Sequence, residues 1–193
     1  QVNVNPLYTA RELEHQLVDS GARTIVIFSG STPTLAEIVA RTPIERIVTA
    51  GLAVDAASAL PSPPVDARLT AAVRLVDALV QGAALPYAPV EQGPDDLLFL
   101  QYTGGTTGVS KGATLLHRNL VANIMQCEAW FKPMLERVGE RQLTIVCALP
   151  LYHIFGFTAN LMLSMHKGGV NVLIPNARDI PAVFKELSQH RIH

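Results

Sequence analysis

Apolar positions recur along the chain at two alternating periods. Ala10, Leu13 and Leu17 share one helical face behind Thr9 and Glu12, a capping-box pair, and Gly21 follows as a stop signal. Thr24 to Phe28 reads as a buried strand. Pro33 can open a second helix, with Leu35, Ile38 and Val39 inward and Arg41 near its end, and Ile47 to Ala50 suits a short strand. Asp55 to Val65, with Pro61, Pro63 and Pro64, reads as a loop, Leu69 to Val80 as a helix, and Gln81 to Pro94 as a Pro/Gly-rich connection.

The pattern then repeats. A strand-like run, Leu97-Leu98-Phe99-Leu100, precedes a helix that starts near His117 and sets Leu120, Ile124, Cys127 and Phe131 on one face, with Trp130 beside them read as helix packing. Leu143 to Ala148 and Gly169 to Ile174 are further strands, and Ile180, Val183, Phe184 and Leu187 form one face of a last helix. Such alternation predicts an α/β fold with a largely parallel sheet flanked by helices. We divide it into a first α/β portion over residues 1–94 and a second over 95–193.

The 193 residues suit one domain or part of a larger one. A formal charge of −1 without any basic block gives no reason to expect nucleic acid as a partner. Cys127 and Cys147 lack metal-ligand spacing and read as buried, reduced thiols. From Gln142 to His166 there is no Asp, Glu, Lys or Arg, but Pro150, His153, Gly156 and Asn160 interrupt the run. A strand, a loop and a buried helix account for it better than a membrane-spanning helix. No signal-peptide pattern is visible, so the expected location is the cytoplasm, with peripheral contact at the inner face of the cell membrane left open.

Chemistry concentrates between the run at Leu97 and the helix at His117. There the chain reads Tyr102-Thr103-Gly104-Gly105-Thr106-Thr107-Gly108-Val109-Ser110-Lys111-Gly112, followed by Ala113. Glycines let backbone N–H groups close around phosphate oxygens, while hydroxyls and one ammonium complete the cage. A Walker A loop needs Gly-Lys-Ser/Thr in succession, and a dinucleotide fingerprint needs GxGxxG; the segment has neither. Within it, Lys111 is placed to neutralise phosphate charge, and Thr103, Thr106 and Thr107 can donate to the same oxygens.

This loop resembles the phosphate loop of the adenylate-forming superfamily, whose usual form is Thr-Ser-Gly-Ser/Thr-Thr-Gly-x-Pro-Lys-Gly. Gly104 stands in place of the serine and Ser110 in place of the proline, and both changes are expected to loosen it. The Gly-Gly form is similar to the bacterial long-chain-fatty-acid-CoA ligase branch. Pro150-Leu151-Tyr152-His153-Ile154-Phe155-Gly156 resembles the family's Pro-Leu-x-His-x-x-Gly segment, and the stretch from Asn3 to His15 also looks like that branch.

The resemblance implies ATP-dependent activation of a fatty acid to an acyl-adenylate and then to acyl-CoA, with Mg²⁺ on the phosphates and CoA as co-substrate. It puts His153 beside the acyl carboxylate, as a polar wall rather than a general base. It also implies that the chain is an internal fragment of a large N-terminal domain, inactive alone. The Tyr-Gly-x-Thr-Glu segment with the magnesium-linked glutamate, the ribose-binding aspartate, the hinge and the C-terminal lysine would lie beyond His193. No metal ligand is assigned within the chain.

Other residues stay structural or undecided. Asp95 and Asp96 sit in a Pro-Asp-Asp turn before a strand and read as turn residues rather than a metal pair. Phe155, Phe157, Leu161 and Met165 suit either an acyl-tunnel floor or core packing, and His15 and His166 carry no signal. Two alternatives to the ligase reading stand: a non-catalytic nucleotide-binding or interaction module built on the same loop, and adenylation of a different carboxylic acid.

Overall fold

Thr9 caps the first helix as its spacing demands. Its hydroxyl oxygen accepts from the Glu12 N–H at 3.4 Å, and the Glu12 carboxylate accepts from the Thr9 N–H at 2.8 Å, so two helix-end donors are satisfied reciprocally. In this computed structural model, which describes residues 1–52, 61–103, 109–139 and 141–193, the chain divides into two units. One comprises residues 2–91 and 102–112, the other residue 1, 92–101 and 113–193.

The first unit holds α1 (Ala10–Ser20), β1 (Thr24–Phe28), α2 (Thr32–Ile38), β2 (Arg46–Ala50), β3 (Val73–Arg74) and α3 (Leu75–Ala83). The sheet order is β1-β2-β3 and both pairings are parallel, with Thr24 opposite Arg46 and Val48 opposite Val73. Leu13 and Leu17 of α1, Ile25 and Ile27 of β1, Leu35 and Ile38 of α2, and Leu69 make one buried cluster. β1 is therefore half-buried rather than buried throughout: Ile25 and Ile27 alternate with the exposed Thr24, Val26 and Phe28.

The helix expected over Leu69 to Val80 is corrected. Leu69 is a buried anchor outside any helix, Val73 and Arg74 extend along β2, and the helix begins only at Leu75. β-branched Val73 gains ladder pairing with β2, and Arg74 then fixes the helix start through a two-bond ion pair with Asp77 at 2.7 Å. Residues 53–60 of the predicted loop lie outside the described residues.

β4 (Leu97–Thr103) and β5 (Lys111–Leu116) pair as a two-stranded sheet, and the chain passes between the units after Gln101 and again after Gly112. α4 (His117–Val138), β6 (Thr144–Cys147), a π-helical segment (Gly156–Met162), α5 (Leu163–His166), β7 (Val170–Leu173) and α6 (Ile180–Gln189) complete the second unit. β6 and β7 are parallel, with Thr144 opposite Val170 and Cys147 opposite Leu173. The uncharged stretch from Gln142 thus holds a strand, a loop and helical turns; among the described residues no helix is long and apolar enough to cross a membrane.

One packing expectation fails here, and one apolar helix face is only partly covered. Trp130 is 82% exposed on α4, one position off the inward stripe that runs through buried Ile124 and half-buried Leu120 and Cys127. On α6, Val183 and Leu187 are half-buried, whereas Ile180 and Phe184 face outward.

Candidate functional site

β4 carries Tyr102 and Thr103 to one end of the glycine-rich segment, and Val109 and Ser110 stand at its other end, before Lys111 opens β5. Gly104, Gly105, Thr106, Thr107 and Gly108 lie outside the described residues. What is described is the base of the loop, and it is tied three ways within the first unit. The Ser110 hydroxyl donates to the Thr103 carbonyl at 2.6 Å, joining the two arms directly. The Tyr102 hydroxyl donates to the Asp19 carboxylate at 2.6 Å. His15 Nε2 lies 2.8 Å from the Ser110 carbonyl, which can only accept, so that nitrogen carries a proton.

These contacts share one aromatic ring. His15 meets Tyr102 edge to face, with ring centroids 6.4 Å apart and an interplanar angle of 85°. Burial, with the hydrogen bond and charge of Asp19, holds the Tyr102 phenol well above its ordinary pKa. A Cβ on Gly112 would stand 3.0 Å from two atoms of the Tyr102 ring, so the glycine lets β5 lie close against it. The residue in the proline's place, Ser110, supplies a cross-arm hydrogen bond that proline cannot make, while the expectation of a looser loop falls on residues 104–108, outside the described residues. Val109 and the side chains of Lys111 and Ala113 are exposed.

The second motif is a tight turn in the other unit. The His153 N–H donates to the Pro150 carbonyl at 3.0 Å, and the Phe157 N–H donates to the His153 carbonyl at 3.0 Å. A Cβ on Gly156 would sit 2.6 Å from the Pro150 carbonyl oxygen, which is why this segment ends in glycine. His153 is exposed, and its Nδ1 accepts from the Phe155 N–H at 3.3 Å, leaving Nε2–H as the ring's donor in the neutral form. The Gln101 amide holds the turn from β4, donating to the Tyr152 carbonyl at 3.2 Å.

Beside this turn lies a cavity of about 360 Å³ lined by Phe99, Leu115, Asn119, Leu120, Asn123, Ile154, Phe155 and Thr158. Phe155, 59% exposed, also lines a second cavity of about 260 Å³ with Phe131, Met134 and Leu149. Phe157 instead packs edge to face on Phe99 at 4.9 Å, and Met165 is exposed. The four residues left undecided by the sequence therefore differ: Phe155 lines cavities, Phe157 packs, Leu161 is half-buried and Met165 is exposed.

Asp95 and Asp96 behave as turn residues. Asp96 accepts from the Gly93 N–H at 2.6 Å, and Asp95 pairs with Arg118 at 2.6 Å. Among the described residues no group of three or more His, Cys, Asp or Glu could hold a metal ion. Cys147 is buried, with its thiol pushed up by that burial, and Cys127 is half-buried.

The loop base thus brings together Tyr102, Thr103, Ser110, Lys111 and Gly112, whereas His153 belongs to the other unit. Sequence reading missed His15 and Asp19. The signal available was their i, i+4 spacing, which puts both on one side of α1, across the helix from the buried Leu13 and Leu17. It names a helix face but not what lies against it.

Comparison with known proteins supplies the wider context. Residues 1–193 match the family described as AMP-binding enzyme. A long-chain-fatty-acid–CoA ligase of Escherichia coli O6:H1 is 45% identical over 201 residues, covering 98% of this chain and 35% of the relative. The chain therefore spans about a third of the length of the curated relatives it matches. Among solved structures, a long-chain-fatty-acid-CoA ligase from Archaeoglobus fulgidus superposes with a TM-score of 0.68 at 27% identity, over 97% of this chain and 33% of that one. An anthranilate CoA ligase in complex with anthranoyl-AMP gives 0.70 at 22% identity, over 99% and 33%, a likeness of fold.

Proposed function

The chain belongs to the AMP-binding enzyme family, and from that premise we propose that it is the phosphate-loop segment of a long-chain-fatty-acid–CoA ligase. The observation that carries this reading is 45% identity across 98% of the chain to a ligase of that name, with the loop motif inside the matched span. In the proposed reaction a fatty-acid carboxylate oxygen attacks the α-phosphorus of ATP. A P–O bond to the acid forms, the P–O bond to pyrophosphate breaks, and acyl-adenylate results. The thiol of CoA then attacks the acyl carbon, AMP departs, and the thiol proton goes to solvent.

The residues of this chain contribute chiefly electrostatics. Negative charge accumulates on the leaving pyrophosphate, and an ammonium held at the loop's exit stabilises it more in the transition state than before. Lys111 suits that role: it is exposed, heads a strand, and follows a residue fixed by two hydrogen bonds. The hydroxyls of Thr103, Thr106 and Thr107 are assigned to the same phosphates. His153, holding its proton on Nε2, offers a donor to the acyl carboxylate rather than a base, since a carboxylate nucleophile has no proton to lose. Magnesium, when bound, would neutralise phosphate charge; among the described residues no group of three or more His, Cys, Asp or Glu is assembled to hold it.

The chemistry is tested with fatty acid labelled with heavy oxygen in its carboxylate, incubated with ATP, CoA and the full-length protein. Attack at the α-phosphorus transfers one labelled oxygen to AMP. AMP free of label, in a reaction that still makes acyl-CoA, would rule out an acyl-adenylate.

A further inference from the structure

We infer that His15 is a positioning residue for Lys111, working with Asp19 to fix the base of the phosphate loop against α1. The inference rests on the ligase reading above for the role of Lys111, and on the geometry of this chain for its own part.

α1 is a firm support. It is capped at both ends, by the Thr9–Glu12 pair and by Gly21, and Leu13, Gln16 and Leu17 are all buried at 3% exposure or less. His15 and Asp19 stand one turn apart on this helix, and each takes a different arm of the loop: Asp19 the Tyr102 hydroxyl at 2.6 Å, His15 the Ser110 carbonyl at 2.8 Å. Ser110 in turn closes on Thr103 at 2.6 Å. Two arms, each held to the helix and joined to each other, form a braced frame.

The consequence for Lys111 follows from peptide geometry. The Ser110 carbonyl and the Lys111 nitrogen belong to one planar peptide unit, so a hydrogen bond that orients the carbonyl also orients the bond from which the Lys111 Cα departs. Gly112, where an added Cβ would stand 3.0 Å from the Tyr102 ring, lets the chain after Lys111 run close against that same ring. An ammonium that must meet a developing charge loses about a hundredfold when displaced by roughly 1 Å. An imidazole with its proton on Nε2 donates to the Ser110 carbonyl whether neutral or charged, the charged form more strongly.

The test uses the full-length protein and fatty-acid-dependent ATP–pyrophosphate exchange. His15→Ala is expected to lower kcat/KM for ATP about tenfold, one hydrogen bond of about 1.4 kcal/mol, while KM for the fatty acid changes less than about twofold. His15→Gln, whose amide N–H can reach the carbonyl, recovers most of the loss. In a Lys111→Ala background, His15→Ala adds less than about a twofold effect, because the group it places is gone. Should His15→Ala fail to fold, Tyr102→Phe removes only the hydroxyl that reaches Asp19 and is expected to show the same ATP-selective loss.

Wild-type kinetics in folded His15→Ala, or a loss fully additive with Lys111→Ala, would overturn the inference while a defect in Lys111→Ala alone left the ligase reading intact. Full fatty-acid-dependent exchange in Lys111→Ala would remove the role of Lys111 and the inference with it, whereas a folded wild type without exchange for any fatty acid would overturn the ligase reading.

Discussion

Gly156 shows how narrowly single residues are specified around the candidate site. Its Cβ position is occupied to within 2.6 Å by the Pro150 carbonyl oxygen, a backbone atom that cannot swing aside. Gly156→Ala is therefore expected to destabilise the folded protein by about 1–3 kcal/mol, seen as a melting temperature lower by several degrees. An unchanged melting temperature would mean that the turn from Pro150 to Gly156 is free to open. Tyr102 has a comparable position in the loop base, where its hydroxyl meets Asp19 and its ring meets His15 and leaves no room for a Cβ on Gly112. Its residue type was legible as part of the motif, but its three contacts were not, because they join positions up to 87 residues apart, as His15 and Tyr102 are.

At the scale of elements, the sequence made regular pieces plain wherever local signals agreed. Thr9, Glu12 and Gly21 bound α1, the run from Thr24 to Phe28 is β1 to the residue, and His117 opens α4. It misled where tertiary pairing outweighed local preference: Val73 and Arg74 belong to an apolar helical pattern, yet pair with β2. The approach to β3 is set by a turn in which Asp66 accepts from the Arg68 backbone N–H at 2.9 Å and from its guanidinium at 2.9 and 2.8 Å.

Those bonds hold the Asp66 carboxyl down to about 2, against about 3.9 in an unfolded chain. A depressed folded-state pKa stabilises above the unfolded value, and that stabilisation is lost as pH falls through the folded one. The difference in melting temperature between wild type and Asp66→Asn is thus expected to be constant above about pH 5 and to close as pH approaches 2. A gap that persists at the acidic end would assign the effect to packing instead.

The whole molecule is a part of something larger in the relatives it matches, of which it covers about a third. Trp130, Phe184 and Ile180 leave apolar area exposed on α4 and α6. The residues 1–193 alone are expected to show no fatty-acid-dependent exchange, while the full-length protein does; equal activity in both would place the complete catalytic set within this segment. The fold class and the loop were readable because each rests on short-range pattern. The brace from α1 was not, because it depends on which helix face the loop meets.

The most direct measurement is ATP–pyrophosphate exchange in the full-length protein, with and without a long-chain fatty acid, for wild type and Lys111→Ala. The account predicts exchange that requires the acid and falls about a hundredfold or more in the variant. Acid-independent exchange, or a Lys111→Ala protein as active as wild type, would contradict it.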